Sequence, residues 1–212
     1  MTQMTADKAK SNRGGNLSVL RERAVTTRAA IVTAARQLFA EAGYHATGTT
    51  EIVVRAGLTR GALYHHFADK EDLFKEVFRA IVSELVSRSN SAAGAEPGDI
   101  WSKIVAAYNQ YLQLVSSNEE YQRILLIDGP AVLGWARWRD LQSEFVAKGT
   151  ADALQLLMDH GIVARQSAEP LANLIQAALN DAAMTIAHSP DPAQASKEAM
   201  AAFLFLLQGI RH

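Results

Sequence analysis

Residues 47–70 concentrate hydrogen-bond donors. They carry the hydroxyls of Thr47, Thr49 and Thr59, the Arg60 guanidinium, the Tyr64 phenol, the His65 and His66 imidazoles and the Lys70 ammonium, against two carboxylates, Glu51 and Asp69. Such a set suits a partner rich in acceptors and negative charge. Double-stranded DNA is one, because its phosphates accept from hydroxyls and cations and guanine O6 and N7 accept a bidentate arginine. At about 100° per helical residue, Leu63 and Phe67 share one face while Gly61, Ala62 and His65 lie roughly opposite, with Arg60 and Tyr64 on the flank. The face away from the core is therefore smooth. A helix entering a major groove about 12 Å wide must bring its backbone close to the base edges, and Gly61 and Ala62 permit that. Taken singly, Tyr64 also fits a core aromatic, the histidine pair a solvated helix end, and Lys70 a surface lysine.

The elements that would position these groups are two short helices joined at Gly57. The first runs from about Thr49 to Ala56, with Thr47 or Thr49 as its cap, Glu51 favoured by the helix dipole, and Ile52, Val53 and Ala56 facing inward. Gly57 permits the left-handed turn and Leu58 anchors it. The second helix begins at about Thr59. Asp69 and Asp72 then have capping-box spacing, which makes Lys70 the first residue of a further helix. A cation there opposes the helix dipole, yet a phosphate at that helix end would take backbone N–H groups and the ammonium together.

Four segments carry a family resemblance: Thr27–Tyr44 (TRAAIVTAARQLFAEAGY), Ile52–Gly57 (IVVRAG), Thr59–Phe67 (TRGALYHHF) and Lys70–Phe74 (KEDLF). They resemble the DNA-binding domain of the tetracycline-repressor (TetR) family over about 50 residues. The resemblance implies a homodimeric, ligand-responsive transcriptional regulator, usually a repressor, with a three-helix reading head. It implies that Thr47 and Tyr64 hold phosphates, joined by His65, His66 and Lys70, and that Arg60, Gly61 and Ala62 face bases. Family members often carry a side-chain hydroxyl where Gly48 stands, so a contact there is expected from the backbone N–H alone.

Composition agrees once the chain is divided. Its 212 residues carry a net charge of −1, but residues 1–80 hold twelve Lys/Arg against eight Asp/Glu and residues 81–212 nine against fourteen. The positive end is the one with the helix pair. Cysteine is absent, which removes disulfides and thiolate chemistry and suits a reducing cytoplasm. No apolar run approaches the length of a membrane span and no leader-like segment opens the chain. The expected location is cytoplasmic, with no membrane partner.

Three regions are expected. Residues 1–24, polar and basic at Lys8, Lys10, Arg13, Arg21 and Arg23, read as a flexible arm, either a plain tail or a minor-groove contact. Residues 25–72 form the helix-turn-helix domain, opened by a helix capped at Thr26 or Thr27 and ended at Gly43. Residues 73–212 form a helical ligand-binding and dimerisation domain. The helix from Lys70 is expected to end near Ser89, before a loop at 90–98. Further helices are expected at Ile100–Val115, Tyr121–Ile127, Pro130–His160, Pro170–His188 and Pro192–Ile210, with Asp128 and Asp191 as caps. No strand-like alternation stands out, so the fold class is all-α.

Aromatic and aliphatic residues crowd positions 100–140. Trp101, Tyr108, Tyr111, Trp135 and Trp138, with Arg123, Asp128 and Arg139 as polar groups, are candidates to line a pocket for a small-molecule effector, against the plainer reading of a helical core. The last two helices are apolar on more than one face. Leu171, Leu174, Ala178, Ala182, Ala199, Phe203 and Leu207 are expected in an intersubunit four-helix bundle, with an intrachain core as the alternative.

No nucleophile elbow, metalloprotease, phosphate-loop or dinucleotide motif is present. Neighbouring helix residues such as His65 and His66 point about 100° apart, a poor start for a metal site. No catalytic residue, metal or cofactor is expected. A helical enzyme, a transcriptional activator of the same fold and a protein-binding adaptor are the rival readings; the adaptor accounts for the helices but not for the positive head or Lys70.

Overall fold

Helix ends in this chain are set by caps and glycines where those exist, and by packing where they do not. The structure, a computed structural model, describes the backbone of residues 3–145 and 147–211 and the side chains of 21–144 and 148–211. It is all-α, and among the described residues the one non-helical pairing is an isolated bridge between Val163 and Arg211.

The head comprises α1 (Gln3–Ala42), α2 (Thr49–Arg55) and α3 (Arg60–His66). Ile31, Ala34, Ala35 and Leu38 of α1 recur at helical spacing and are buried with Ile52, Val53, Leu63 and Phe67. Gly57, at φ 68°, turns α2 into α3. A three-helix unit of this size buries too little surface to stand alone, and α4 (Lys70–Ala95) supplies the missing wall with Leu73, Phe74, Val77 and Phe78. The Phe74 ring lies 5.5 Å from Phe39 and 5.1 Å from Tyr44 in edge-on contacts.

Several expected boundaries move. The helix expected to start at Thr26 or Thr27 already runs from Gln3, and the Thr26 hydroxyl donates back to the Glu22 carbonyl inside it. Residues 3–24 are thus the first part of α1, which is exposed over 21–26; the side chains of Lys8, Lys10 and Arg13 lie outside the described residues. Neither Thr47 nor Thr49 caps α2, whose N-cap is Gly48 without a side-chain bond. The fourth helix continues past Ser89 to Ala95, because Asn90–Ala95 contains no proline and the break comes at Pro97.

Beyond it lie α5 (Ile100–Ser117) and α6 (Glu119–Tyr121), a π-helical segment Gln122–Asp128, then α7 (Gly129–Leu133), α8 (Trp135–Phe145), α9 (Ala147–Asp159), α10 (Ala168–Ala187) and α11 (Pro192–Gln208). The stretch Pro130–His160 is thus not one helix: Gly134, at φ 75°, separates α7 from α8. Apolar spacing does not separate an α-turn from the wider π-turn, so Tyr121–Ile127 concealed the π segment. Gly129 permits a close crossing there, since a Cβ would stand 2.8 Å from the Trp138 ring and 3.0 Å from that of Phe78. The Trp138 indole N–H donates to the Leu125 carbonyl at 2.7 Å, tying α8 to the π segment. Asp191 caps α11 as expected, accepting from Gln194 N.

Candidate nucleic-acid interface and ligand cavity

On α3, Leu63 is fully buried while Arg60, Gly61, Tyr64 and His65 are exposed and Ala62 and His66 half-buried. Thr59 caps the helix by accepting from Ala62 N at 3.2 Å, which leaves its hydroxyl proton free to point outward. The Tyr64 hydroxyl lies 3.5 Å from that of Thr49, and the Arg60 guanidinium stands 6.0 Å from the Tyr64 ring centre. The bond with Thr49, followed by the bond and charge of Arg60, lowers the Tyr64 pKa below the ordinary tyrosine value. Thr49, Arg60 and Tyr64 thereby form one polar surface across α2 and α3. Tyr64 is no core aromatic.

Thr47 does not join that surface through its side chain. It is 1% exposed, and its hydroxyl lies within bonding distance of the Gly43 carbonyl (2.8 Å) and the Leu38 carbonyl (3.2 Å). A hydroxyl committed inward at the end of α1 has no proton for a phosphate. Gly48 follows it on the surface, and a Cβ there would meet nothing within 4 Å.

Lys70 has a structural task. Its Nζ donates to the carbonyls of Tyr44 and Thr47, both at 2.9 Å, and lies 4.2 Å from the Tyr44 ring centre. Burial lowers its pKa from the ordinary lysine value. Two of its three N–H donors hold the turn between α1 and α2; one is left for an outside acceptor. Asp69 caps α4 by accepting from Asp72 N at 2.7 Å, and Asp72 reaches back to Ala68 N rather than to Asp69 N.

The same turn is held from the body. Asp128, 8% exposed at the end of the π segment, accepts from Tyr44 N at 2.9 Å and caps nothing, contrary to the expectation from the proline after it. Below this contact Arg36 of α1 makes two bonds to Glu120, at 2.7 and 2.9 Å, and one to Glu84 of α4 at 2.8 Å. The bonds to Glu120 and then Glu84 raise the Arg36 pKa against its desolvation. Burial would raise the Glu84 carboxyl, but bonds from Tyr121 and Arg36 outweigh it and lower the pKa. Composition did not reveal this seam, because its charges are scattered over three helices.

The body holds a cavity of about 340 Å³ between α4, α5, α9 and α10. Of the candidate pocket residues, Tyr108 and Tyr111 are in its lining. Trp101, Arg123, Trp135, Trp138, Asp128 and Arg139 do not. Trp138 is buried with its N–H on Leu125, Trp135 is 66% exposed against it, and the Arg123 guanidinium packs beside Gly43. Trp135 and Trp138 thus lie beside the π segment, whereas Trp101 lines a separate groove with Leu204 and Gln208, and Arg139 another with Lys148 and Glu169. The wall from α9, Thr150 and Ala153 among it, was missed because small residues give no aromatic signal.

The C-terminal pair also divides differently. Phe203 and Leu207 are buried within the protomer, Phe203 edge-on to Tyr108 at 5.3 Å. Leu171, Ala178, Ala182 and Ala199 are half-buried, while Leu174, Phe205 and Leu206 are 69%, 77% and 62% exposed. Helical spacing alone does not say which apolar face meets its own chain.

Residues 31–77 match the domain family described as bacterial regulatory proteins, tetR family, and residues 101–210 match the tetracyclin repressor-like C-terminal domain. A crystal structure of a TetR-family transcriptional regulator from Pectobacterium atrosepticum superposes with a TM-score of 0.77 at 32% identity, covering 90% of this chain and 97% of that one. The Tn10 TetC protein of Escherichia coli is 27% identical over 155 residues, 71% of this chain and 75% of its own. The transcriptional regulator AcrR of Shigella flexneri is 34% identical over 106 residues, about half of each chain. With both domains matched and the reading helix carrying its donors outward, the chain belongs to the TetR family of helix-turn-helix, DNA-binding transcriptional regulators.

Proposed function

We propose that the protein is a homodimeric repressor whose two α3 helices read successive major grooves of a near-palindromic operator and which a small-molecule effector in the α4–α5–α9–α10 cavity releases. The observation that carries the reading role is Gly61. It sits in the first turn of α3, where glycine costs up to about 1 kcal/mol relative to alanine, and a Cβ there would meet only the Thr59 hydroxyl at 3.8 Å. Nothing in the fold needs the glycine. A groove floor does, because a backbone must approach it closely.

On this reading Arg60, Gly61 and Ala62 face bases. Tyr64, Thr49, Thr59, His65 and His66, the Gly48 backbone N–H and the spare donor of Lys70 hold phosphates. The exposed Leu174, Phe205 and Leu206 of α10 and α11 support self-association, since a C2 dimer buries the same patch from both subunits. Repression accords with relatives named as repressors, among them BepR of Brucella suis, 50% identical over 54 residues, 26% of each chain. No catalytic role is assigned to any residue.

Helix α4 couples the two sites. Its first residue, Lys70, holds the head turn, and Val86, Ser89, Asn90 and Ala93 wall the cavity, roughly 24–35 Å further along at 1.5 Å per residue. An effector that binds one setting of α4 better than another shifts the population of head spacings. Anisotropy titration of the full chain against labelled DNA from upstream of its own gene tests the reading. Arg60→Ala should lose about 1–3 kcal/mol on the specific site and little on random DNA; an equal loss on both would contradict base reading.

A further inference from the structure

The cavity has a polarity of its own. Its inner wall is apolar and aromatic, from Ile104, Ala107, Tyr108, Tyr111 and Leu179, and among the described residues no Asp or Glu lines it. The phenols of Tyr108 and Tyr111 are each pushed up to about 12 by burial, so this interior disfavours a negative charge placed deep inside. Among the described residues its one lining cation is Lys103, which is exposed and so stands at the mouth. The volume, about 340 Å³, lies at the small end of the range for small-molecule sites, about 300–1,000 Å³.

We infer that this cavity takes an apolar monocarboxylate, its hydrocarbon body among Ile104, Tyr108, Tyr111 and Leu179 and its carboxylate at the mouth on the Lys103 ammonium. The inference rests on the effector-site reading and adds the ligand's chemistry to it. A cationic apolar molecule finds no carboxylate to neutralise it and meets Lys103 as a like charge. A neutral one fills the interior but leaves the lysine unused. A dianion or a polar sugar would have to lose hydration against a wall that offers few bonds in return.

Decanoate, decanol and decylammonium share one body and differ in head group. Calorimetric titration of the full-length protein with each, below its micelle-forming concentration, should give one site per protomer for decanoate. Decanol should bind roughly fivefold more weakly, the worth of an exposed charge pair, and decylammonium more weakly still. Lys103→Gln should bring decanoate down to decanol's affinity and leave decanol unchanged. Equal binding of acid and alcohol, preference for the amine, no binding by any of the three, or an unchanged acid preference in Lys103→Gln would each overturn the inference. Adding the same compounds to the DNA titration separates the two layers. Decanoate that binds but leaves the DNA complex intact would remove the effector role and keep the ligand class. Release of DNA by decanol or decylammonium alone would do the reverse.

Discussion

The head turn at residues 43–48, held by the first residue of α4, and the cavity wall, formed in part by the far end of α4, are built from opposite materials. The turn is locked by hydrogen bonds: Lys70 to two carbonyls, the Thr47 hydroxyl beside two more, and Asp128 accepting from Tyr44 N. The cavity wall is apolar, with a buried Ser89 hydroxyl that bonds to nothing among the described residues. Directional bonds fix one geometry, whereas apolar contacts tolerate repacking. One end of α4 thus transmits a position and the other end adjusts to its contents.

The comparison can be broken hardest at the crossing between them. Gly129→Val would drive carbon into the Trp138 and Phe78 rings, and overpacking of this kind costs about 1–3 kcal/mol. A lowered denaturation midpoint is expected, together with weaker coupling between cavity and head. An unchanged midpoint would mean that α4, α7 and α8 are loosely packed here.

Lys70→Ala sharpens it from the head side. Losing two charge-assisted bonds should lower stability by about 2 kcal/mol, and DNA affinity should fall on all sequences alike with a flatter salt dependence. A lysine used only for phosphate would leave the denaturation midpoint where it was. Leu174→Asp and Phe205→Asp probe the opposite end. Both should yield folded monomers by sedimentation, because these side chains are exposed in the protomer, whereas a folded dimer would refute the bundle.

The seam responds to acid. Glu84 and Glu76 both have lowered pKa values, Glu76 chiefly through its bond from Arg28. Groups lowered on folding contribute stability that is full above the unfolded value of about 4.3 and is lost as pH falls through their lower folded values. Denaturation midpoints should therefore decline below about pH 5, and less steeply in Arg28→Met. The smallest effect is at Gly48, where Gly48→Ser would add the missing N-cap and gain a few tenths of a kcal/mol, read as a slightly raised midpoint.

The head was largely legible in the sequence, because local rules decide it: Gly57 turns, α3 starts near Thr59, Asp69 caps, and Leu63 and Phe67 mark the inner face. What misled there was Thr47, whose hydroxyl suits a phosphate as well as it suits the two carbonyls beside it. In the body, packing between distant segments decides. Trp138 and Trp135 are as aromatic as Tyr108, yet a π-turn and the break at Gly134 carry them away from the cavity. Phe203 and Phe205 are two residues apart, one on the protomer core and one exposed, and periodicity without a partner does not rank such faces.

The central claim is that the smooth face of α3 exists for something outside the fold. Gly61→Ala tests it in one protein preparation with two readouts. Stability should rise by about 0.4–1 kcal/mol, because alanine is the better helix residue and the site is open, while affinity for the specific DNA falls. Higher stability with undiminished affinity would contradict the claim and leave Gly61 without a role.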